Sequence, residues 1–162
     1  MGFDPQRDTA KVYATDGAFR ESAMRMVAAD SPDVDAYARH GGKILFFHGV
    51  SDPVFSVTDT VRYLGQLRQR YGAATDGMAR LFTVPNMAHC SGGPATDQYD
   101  GLTALVNWVE KGRPPERIVA RARPENPDVT WPGRTRPLCA YPKQARYNGS
   151  GSIEDAANFS CR

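Results

Sequence analysis

Leu81–Gly93 reads LFTVPNMAHCSGG. Leu81, Phe82, Thr83 and Val84 form a short run of strand character, closed by a proline that cannot continue a ladder. The chain must turn at Pro85, and the turn delivers His89, followed at once by Cys90 and a flexible Ser-Gly-Gly-Pro run. Open α/β sheets place their chemistry on loops at the C-terminal ends of strands, which makes His89 a candidate catalytic group. Upstream, Ile44–Phe47 is a second apolar run, and it ends in His48-Gly49-Val50-Ser51-Asp52-Pro53. The order is strand, loop with Asp52, helical crossover, strand, loop with His89.

Working outward, Ser56 or Thr58 can cap the crossover helix, with Val57, Val61, Leu64, Leu67 and Tyr71 facing inward. Residues 72–77 read as a polar loop before the second strand. Asp97 is the expected cap of the next helix, in which Leu102, Leu105, Val106 and Val109 share an inward face at i, i+3, i+4, i+7 spacing. Gly112 and Pro114 end that helix. Strand–helix–strand–helix of this length predicts a right-handed βαβα unit. The four consecutive apolar residues of Ile44–Phe47 fit a parallel strand covered on both faces.

Before this unit, residues 1–13 read as an irregular lead-in. Phe19, Ala23, Met26 and Val27 then form an apolar helical face that begins near Asp16. Ser31-Pro32 is the expected start of a short helix carrying Val34, Tyr37 and Ala38, which stops at Gly41-Gly42. From Pro114 onward, prolines, glycines and arginines dominate with little periodicity, predicting a loop-rich tail that wraps the surface.

The 162 residues suffice for one ordinary core, and 41% hydrophobic with 23% charged residues is the composition of a folded domain. A net charge of +2 from dispersed basic residues argues against nucleic acid or a membrane as partner. No apolar run approaches the ~20 residues needed to cross a bilayer, and MGFDPQRDTAKVY lacks the apolar core of a signal peptide. Cys139 and Cys161 lie in the tail and can close a loop of about 22 residues, worth ~3 kcal/mol. Cys90 is left over, either as a free thiol or with a partner outside the chain. With the acceptor triplets Asn148-Gly149-Ser150 and Asn158-Phe159-Ser160, the cysteines lean towards an oxidising compartment.

Asp52 and His89 suit an acid–base pair: an imidazole takes and returns a proton near neutrality, and a carboxylate orients it and stabilises the imidazolium. In α/β-hydrolases the triad follows the chain order Ser, Asp or Glu, His, so these would be its last two members. No G-x-S-x-G occurs, and Ser51 and Ser91 do not sit on a strand–turn–helix elbow. His48, Asp52, His89 and Cys90 invite a metal reading, but no His-x-x-x-His or Cys-x-x-Cys pair supplies convergent ligands. His48 reads more simply as a buried histidine bonded to backbone. The Arg121–Arg123 and Arg134–Arg136 runs can bind a substrate carboxylate or pin the tail. Tyr63, Trp108 and Phe55 suit core or crevice packing, and Phe55, just past Asp52, is placed to touch an aromatic substrate.

GGKILFFHGVSDP, LFTVPNMAHCSGGP, ALVNWVEKGRPPERIVA, RTRPLCAYPKQARYNGSG and DAANFSC, in that order, resemble the tannase/feruloyl esterase family of secreted α/β-hydrolases. The resemblance runs from about Asp30 to the C-terminus. It implies a Ser–Asp–His triad that cleaves esters of phenolic acids, with Asp52 in HGVSDP as the acid and His89 in PNMAHC as the base. It also implies a disulfide between the neighbours of the catalytic serine and histidine, so the partner of Cys90 is expected in a missing N-terminal half. The family's calcium site belongs to an inserted lid that has no counterpart here, and no metal ligand or cofactor is carried over.

The expected fold class is therefore α/β: the C-terminal part of an α/β-hydrolase, a βαβα unit with a loop-rich tail pinned by Cys139–Cys161. Residues 1–30 are expected to be a lead-in from an upstream or lid region, and 31–162 the C-terminal part of the catalytic domain. The expected parent is a secreted or periplasmic serine-type ester hydrolase acting on small phenolic esters. The chain carries its Asp and His without the Ser, hence no activity alone and a tendency to self-associate. The competing readings are a non-catalytic segment that binds a partner and a metal-binding domain.

Overall fold

Asp4 precedes Pro5 and accepts hydrogen bonds from the Gln6 and Arg7 amides, which starts a helix, α1 (Pro5–Val12). Asp8 in its first turn is bonded to Arg7 and Lys11, and those bonds hold its carboxyl well below the usual range. The irregular lead-in expected over residues 1–13 is thus largely helical. Its stabilisation is a cap and ion pairs, which an apolar-period reading does not register. A computed structural model describes residues 2–162.

The chain divides into two compact units, the first ending at Asp33 and the second running from Val34 to Arg162. In the first, Asp16 turns the chain by accepting from the Ala18 and Phe19 amides, so helix α2 spans only Ala23–Val27 behind a Ser22 cap. The expected apolar face is not covered: Phe19, Met26 and Val27 are exposed.

The second unit opens with α3 (Asp35–Arg39), which starts later than Ser31-Pro32 predicts. Ser31 instead accepts from the Asp33 amide. The Tyr71 hydroxyl accepts from the Val34 amide and donates to Asp35, so a distant tyrosine does the work of a cap. Strand β1 (Ile44–Gly49), helix α4 (Val57–Tyr71) and strand β2 (Ala79–Val84) form a parallel βαβ unit, in register from Ile44↔Ala79 to Gly49↔Val84. Ser56 caps α4. Residues 72–77 form a short 3-10 turn in which buried Thr75 donates to the Leu67 carbonyl. Alternate residues of β2 serve two cores. Leu81 joins Leu64, Leu67 and Met78 under α4, while Phe82 and Val84 join Met87, Ile118, Ala120 and Leu138 on the other side.

Residues 44–48 of β1 are only half-buried, short of the two-sided cover that their composition predicts. Among the described residues β1 pairs with β2 alone, leaving its other edge open. After the two-residue β3 (Gln98–Tyr99) comes α5 (Gly101–Lys111), capped by Asp100 through the Thr103 amide rather than by Asp97. Its orientation also departs from the apolar spacing. Trp108 is the buried residue, beneath Lys43 and Arg80, and Ala104 packs on the core, whereas Leu102, Val106 and Val109 face outward.

The tail is more regular than expected. β4 (Arg117–Arg121) lies antiparallel between β3 and β5 (Thr135–Cys139), and β6 (Ala145–Tyr147) pairs with β7 (Phe159–Cys161). The segment after β5 meets the free edge of β2 at Phe82↔Ala140, and the Tyr141 amide donates to the Leu81 carbonyl. Cys139 and Cys161 are joined by a disulfide.

Candidate active site

Gly49 ends β1 where the chain passes the loop that follows β2. A Cβ there would stand 2.3 Å from the carbonyl oxygens of Met87 and Ala88, which are backbone and cannot swing aside. The absence of a side chain lets the two loops join: the Val50 amide donates to the Val84 carbonyl, and the Ser51 amide to the Met87 carbonyl. Both candidate side chains are therefore set by backbone contacts.

Asp52 closes a tight turn after Gly49. Its Oδ1 accepts from the Val54 and Phe55 amides at 2.8 and 3.0 Å, and its Oδ2 accepts from His89 Nδ1 at 2.8 Å. The carboxyl side chain is only 5% exposed. Burial alone would raise its pKa, but the His89 bond, the two amides and the His89 charge outweigh that and bring it down to about 2. The carboxylate is thus ionised and acts only as an acceptor.

With Nδ1–H given to Asp52, the neutral His89 ring presents its lone pair at Nε2. Its side chain is 45% exposed, and among the described residues no group bonds Nε2. The Phe55 ring lies 5.4 Å from the imidazole, centre to centre. The histidine loop needs unusual backbone: Asn86 and Cys90 have φ of 59° and 63°, and Gly92 and Gly93 are also left-handed. The Ala88 amide donates to the Gly92 carbonyl and the Ser91 amide to the His89 carbonyl, closing the loop on itself.

Three residues that the sequence reading did not single out for this site hold the far side of that loop. Asp97, whose side chain is fully buried, accepts from the Gly92 amide at 2.8 Å and from Arg123. Asn126 donates to the Gly93 carbonyl at 2.8 Å. Burial would raise the Asp97 pKa, but the Gly92 amide and Arg123 lower it on balance. One oxygen of Asp97 and Nε of Arg123 are buried without a partner among the described residues. The available signal was spacing: Asp100 stands three residues before Thr103 and fits the cap better, which frees Asp97 for another task.

His48 is occupied. Its Nε2 bonds the Phe55 carbonyl at 3.1 Å and its Nδ1 the Thr60 hydroxyl at 2.7 Å, which fixes the proton on Nε2 because a carbonyl only accepts. At 3.6 Å from Asp52 it lies outside hydrogen-bonding distance. With both ring nitrogens committed it is not disposed to bind metal. Among the described residues no group of three His, Cys, Asp or Glu side chains is arranged to hold a metal ion. Neither Ser51 nor Ser91 hydroxyl bonds His89 among the described residues. Cys90 is an exposed free thiol. Of the arginine runs, Arg123 is paired with Asp97 and Arg134 with Glu154.

A family model described as "Tannase and feruloyl esterase" matches residues 6–162. The chain is 46% identical over 173 aligned residues to the mono(2-hydroxyethyl) terephthalate hydrolase of Piscinibacter sakaiensis, covering 99% of this chain and 26% of that protein. It is 28% identical to feruloyl esterase B of Aspergillus niger, over 83% of this chain and 29% of that protein. Among solved structures, an esterase from Aspergillus oryzae superposes with a TM-score of 0.70 at 28% identity, covering 82% of this chain and 29% of that one. The feruloyl esterase B of Aspergillus oryzae gives 0.66 over the same shares. The chain thus spans a little over a quarter of the length of these relatives.

Proposed function

Because the chain belongs to the tannase and feruloyl esterase family, we propose that it is the C-terminal part of an α/β-hydrolase catalytic domain that cleaves carboxylic esters of phenolic acids. The observation that carries this reading is the 2.8 Å bond from His89 Nδ1 to a buried Asp52 carboxylate, with Nε2 unbonded and open. In the proposed reaction a serine from the upstream half of the enzyme attacks the ester carbonyl while His89 Nε2 takes its proton. The same proton passes to the departing alcohol as the tetrahedral intermediate collapses to the acyl-enzyme. Water, deprotonated by His89, then releases the acid and returns the proton to serine. Asp52 holds the ring in the productive tautomer and stabilises the imidazolium. The exposed Phe55, against His89, offers a face to the phenolic ring.

Residues 1–30 belong in this reading to an upstream or lid region, and 31–162 to the catalytic domain. Its partner is the missing N-terminal half, whose cysteine next to the serine would pair with Cys90. Secretion or periplasmic export would suit the Cys139–Cys161 disulfide. The open edge of β1 suits either that half or, in its absence, self-association.

The test compares this chain, the chain with the upstream half supplied in trans, and His89→Ala in both, on methyl ferulate and methyl gallate. Expected are no turnover by the chain alone, turnover on complementation, and its loss in His89→Ala. Turnover by the chain alone that His89→Ala abolishes would place the nucleophile within these residues and return Ser51 and Ser91 to consideration.

A further inference from the structure

Two arginines and two aromatic rings, from β5, β7 and the loop that leads into β5, enclose a cavity of about 250 Å³, which Asp52, Phe55 and His89 do not line. Trp131, Arg134, Arg136, Leu138 and Phe159 contribute to its wall. The Arg134 guanidinium lies 3.9 Å from the centre of the Trp131 ring and engages both oxygens of Glu154. The Arg136 guanidinium lies 4.5 Å from the centre of the Phe159 ring, and its Nη1 donates to the Thr135 carbonyl at 2.8 Å. With Glu154 taken by Arg134, Arg136 has no carboxylate partner among the described residues.

That leaves one positive charge unanswered beside an apolar hollow. Burial disfavours the charge, the neighbouring Arg134 repels it, and Glu154 compensates only in part, so the Arg136 pKa lies below its ordinary value. A guanidinium nonetheless stays protonated at any working pH, and its planar fork matches a carboxylate in two parallel bonds. We propose that this cavity binds a small aromatic monocarboxylate, its acid group on Arg136 and its ring against Phe159, Leu138 and Trp131. The volume lies below the ~300–1,000 Å³ of sites for drug-sized ligands, which suits one ring with a short acid arm. Pro85 and Asn86 at one root of the histidine loop, and Pro94 at the other, also line the cavity. An occupant therefore touches the base of the loop and leaves Nε2 of His89 open. The site is separate from the ester-cleaving reading, since binding needs no turnover.

Isothermal titration of the whole chain with sodium benzoate, and separately with benzamide and sodium phosphate, tests the site. Saturable benzoate binding is expected, with benzamide weaker by roughly tenfold or more because it lacks the charge. Arg136→Gln should weaken benzoate to a similar extent, and His89→Ala should leave it unchanged. Ala145 of β6 also lines the hollow, so Ala145→Leu narrows it while keeping the guanidinium and should also weaken benzoate; it carries the test if Arg136→Gln fails to fold. Absence of saturable binding, equal affinity for benzamide, or wild-type affinity in Ala145→Leu overturns the proposal. So does loss of binding in His89→Ala, which would put benzoate at the other site. Phosphate binding as tightly as benzoate would mark a plain anion site and equally overturn it.

Discussion

Asp52 carries three hydrogen bonds on two oxygens, and the charge they stabilise links folding to pH. Its pKa falls from 3.8 to about 2 on folding. The folded state therefore binds the proton less readily than the unfolded chain. The stabilisation is full above about pH 4 and is lost as the pH falls towards 2. Thermal melts across that interval should show a steeper acid-side loss in the wild-type chain than in Asp52→Asn, which has no such proton to take up. Equal slopes would mean that the carboxylate is not held as described. At the same scale, His48 shows what a sequence can reveal about a lone histidine. Its place at a strand end suggested a backbone bond, and the Phe55 carbonyl supplies it. Asp97 shows the opposite case. Nothing in GGPATD announces that Asp97 will be buried, because its partner Arg123 arrives from the segment just after β4, and Asn126, which holds the neighbouring Gly93 carbonyl, from the turn that follows. Asp97→Ala should free the Gly92 amide and leave Arg123 without its partner. Amide exchange at Gly92 and Gly93 should accelerate, along with a lower melting temperature, while the fold persists.

At the scale of elements, the two apolar strands and their loops were legible because each is a continuous apolar run closed by Gly or Pro. α4 was equally plain, from Ser56 through Leu64 and Leu67. The failures have a common cause in packing that comes from far along the chain. The apolar stripe of α5 reads as a buried face, yet Leu102 is 74% exposed and Trp108 only 2%. A large ring under two cations, with Ala104 on the core, decides the rotation of the helix, and periodicity alone does not weigh that. β4 alternates buried and exposed residues in a run bounded by arginines, and β5 contains Pro137, so neither stood out as a strand. Two tests belong here. Gly49→Ala drives a methyl into two carbonyl oxygens and should cost about 1–3 kcal/mol in denaturant titration. Cys139→Ser should lose about 3 kcal/mol in the same measurement, since the bridge closes a separation of 22 residues. Thiol counting on the unfolded, unreduced wild-type chain should return one free thiol, Cys90.

For the molecule as a whole, the decisive facts are the open edge of β1 and the uncovered stripe on α5. Unpaired backbone on a half-buried apolar strand is a template for another strand. Sedimentation velocity on the chain alone should show concentration-dependent association, which Leu45→Lys on β1 should reduce. A monomer at all concentrations would mean that the edge is protected by other means. The family and the meeting of Asp52 with His89 could be read from 162 residues because the motifs are local and ordered. The layout of the tail could not, because its strands pair across long separations and hide behind proline and arginine.

The two fastenings of the histidine loop also differ in when they become available during synthesis. Val84, Met87 and Gly49, which bring the loop against the aspartate turn, have all left the ribosome once the loop itself has. Arg123 and Asn126 are translated later. A nascent chain can thus bring Asp52 and His89 together while the far side of the loop is still slack. It tightens only when β4 and the turn after it have emerged. A chain stopped before Arg123 would carry the acid–base pair on a loop held from one side.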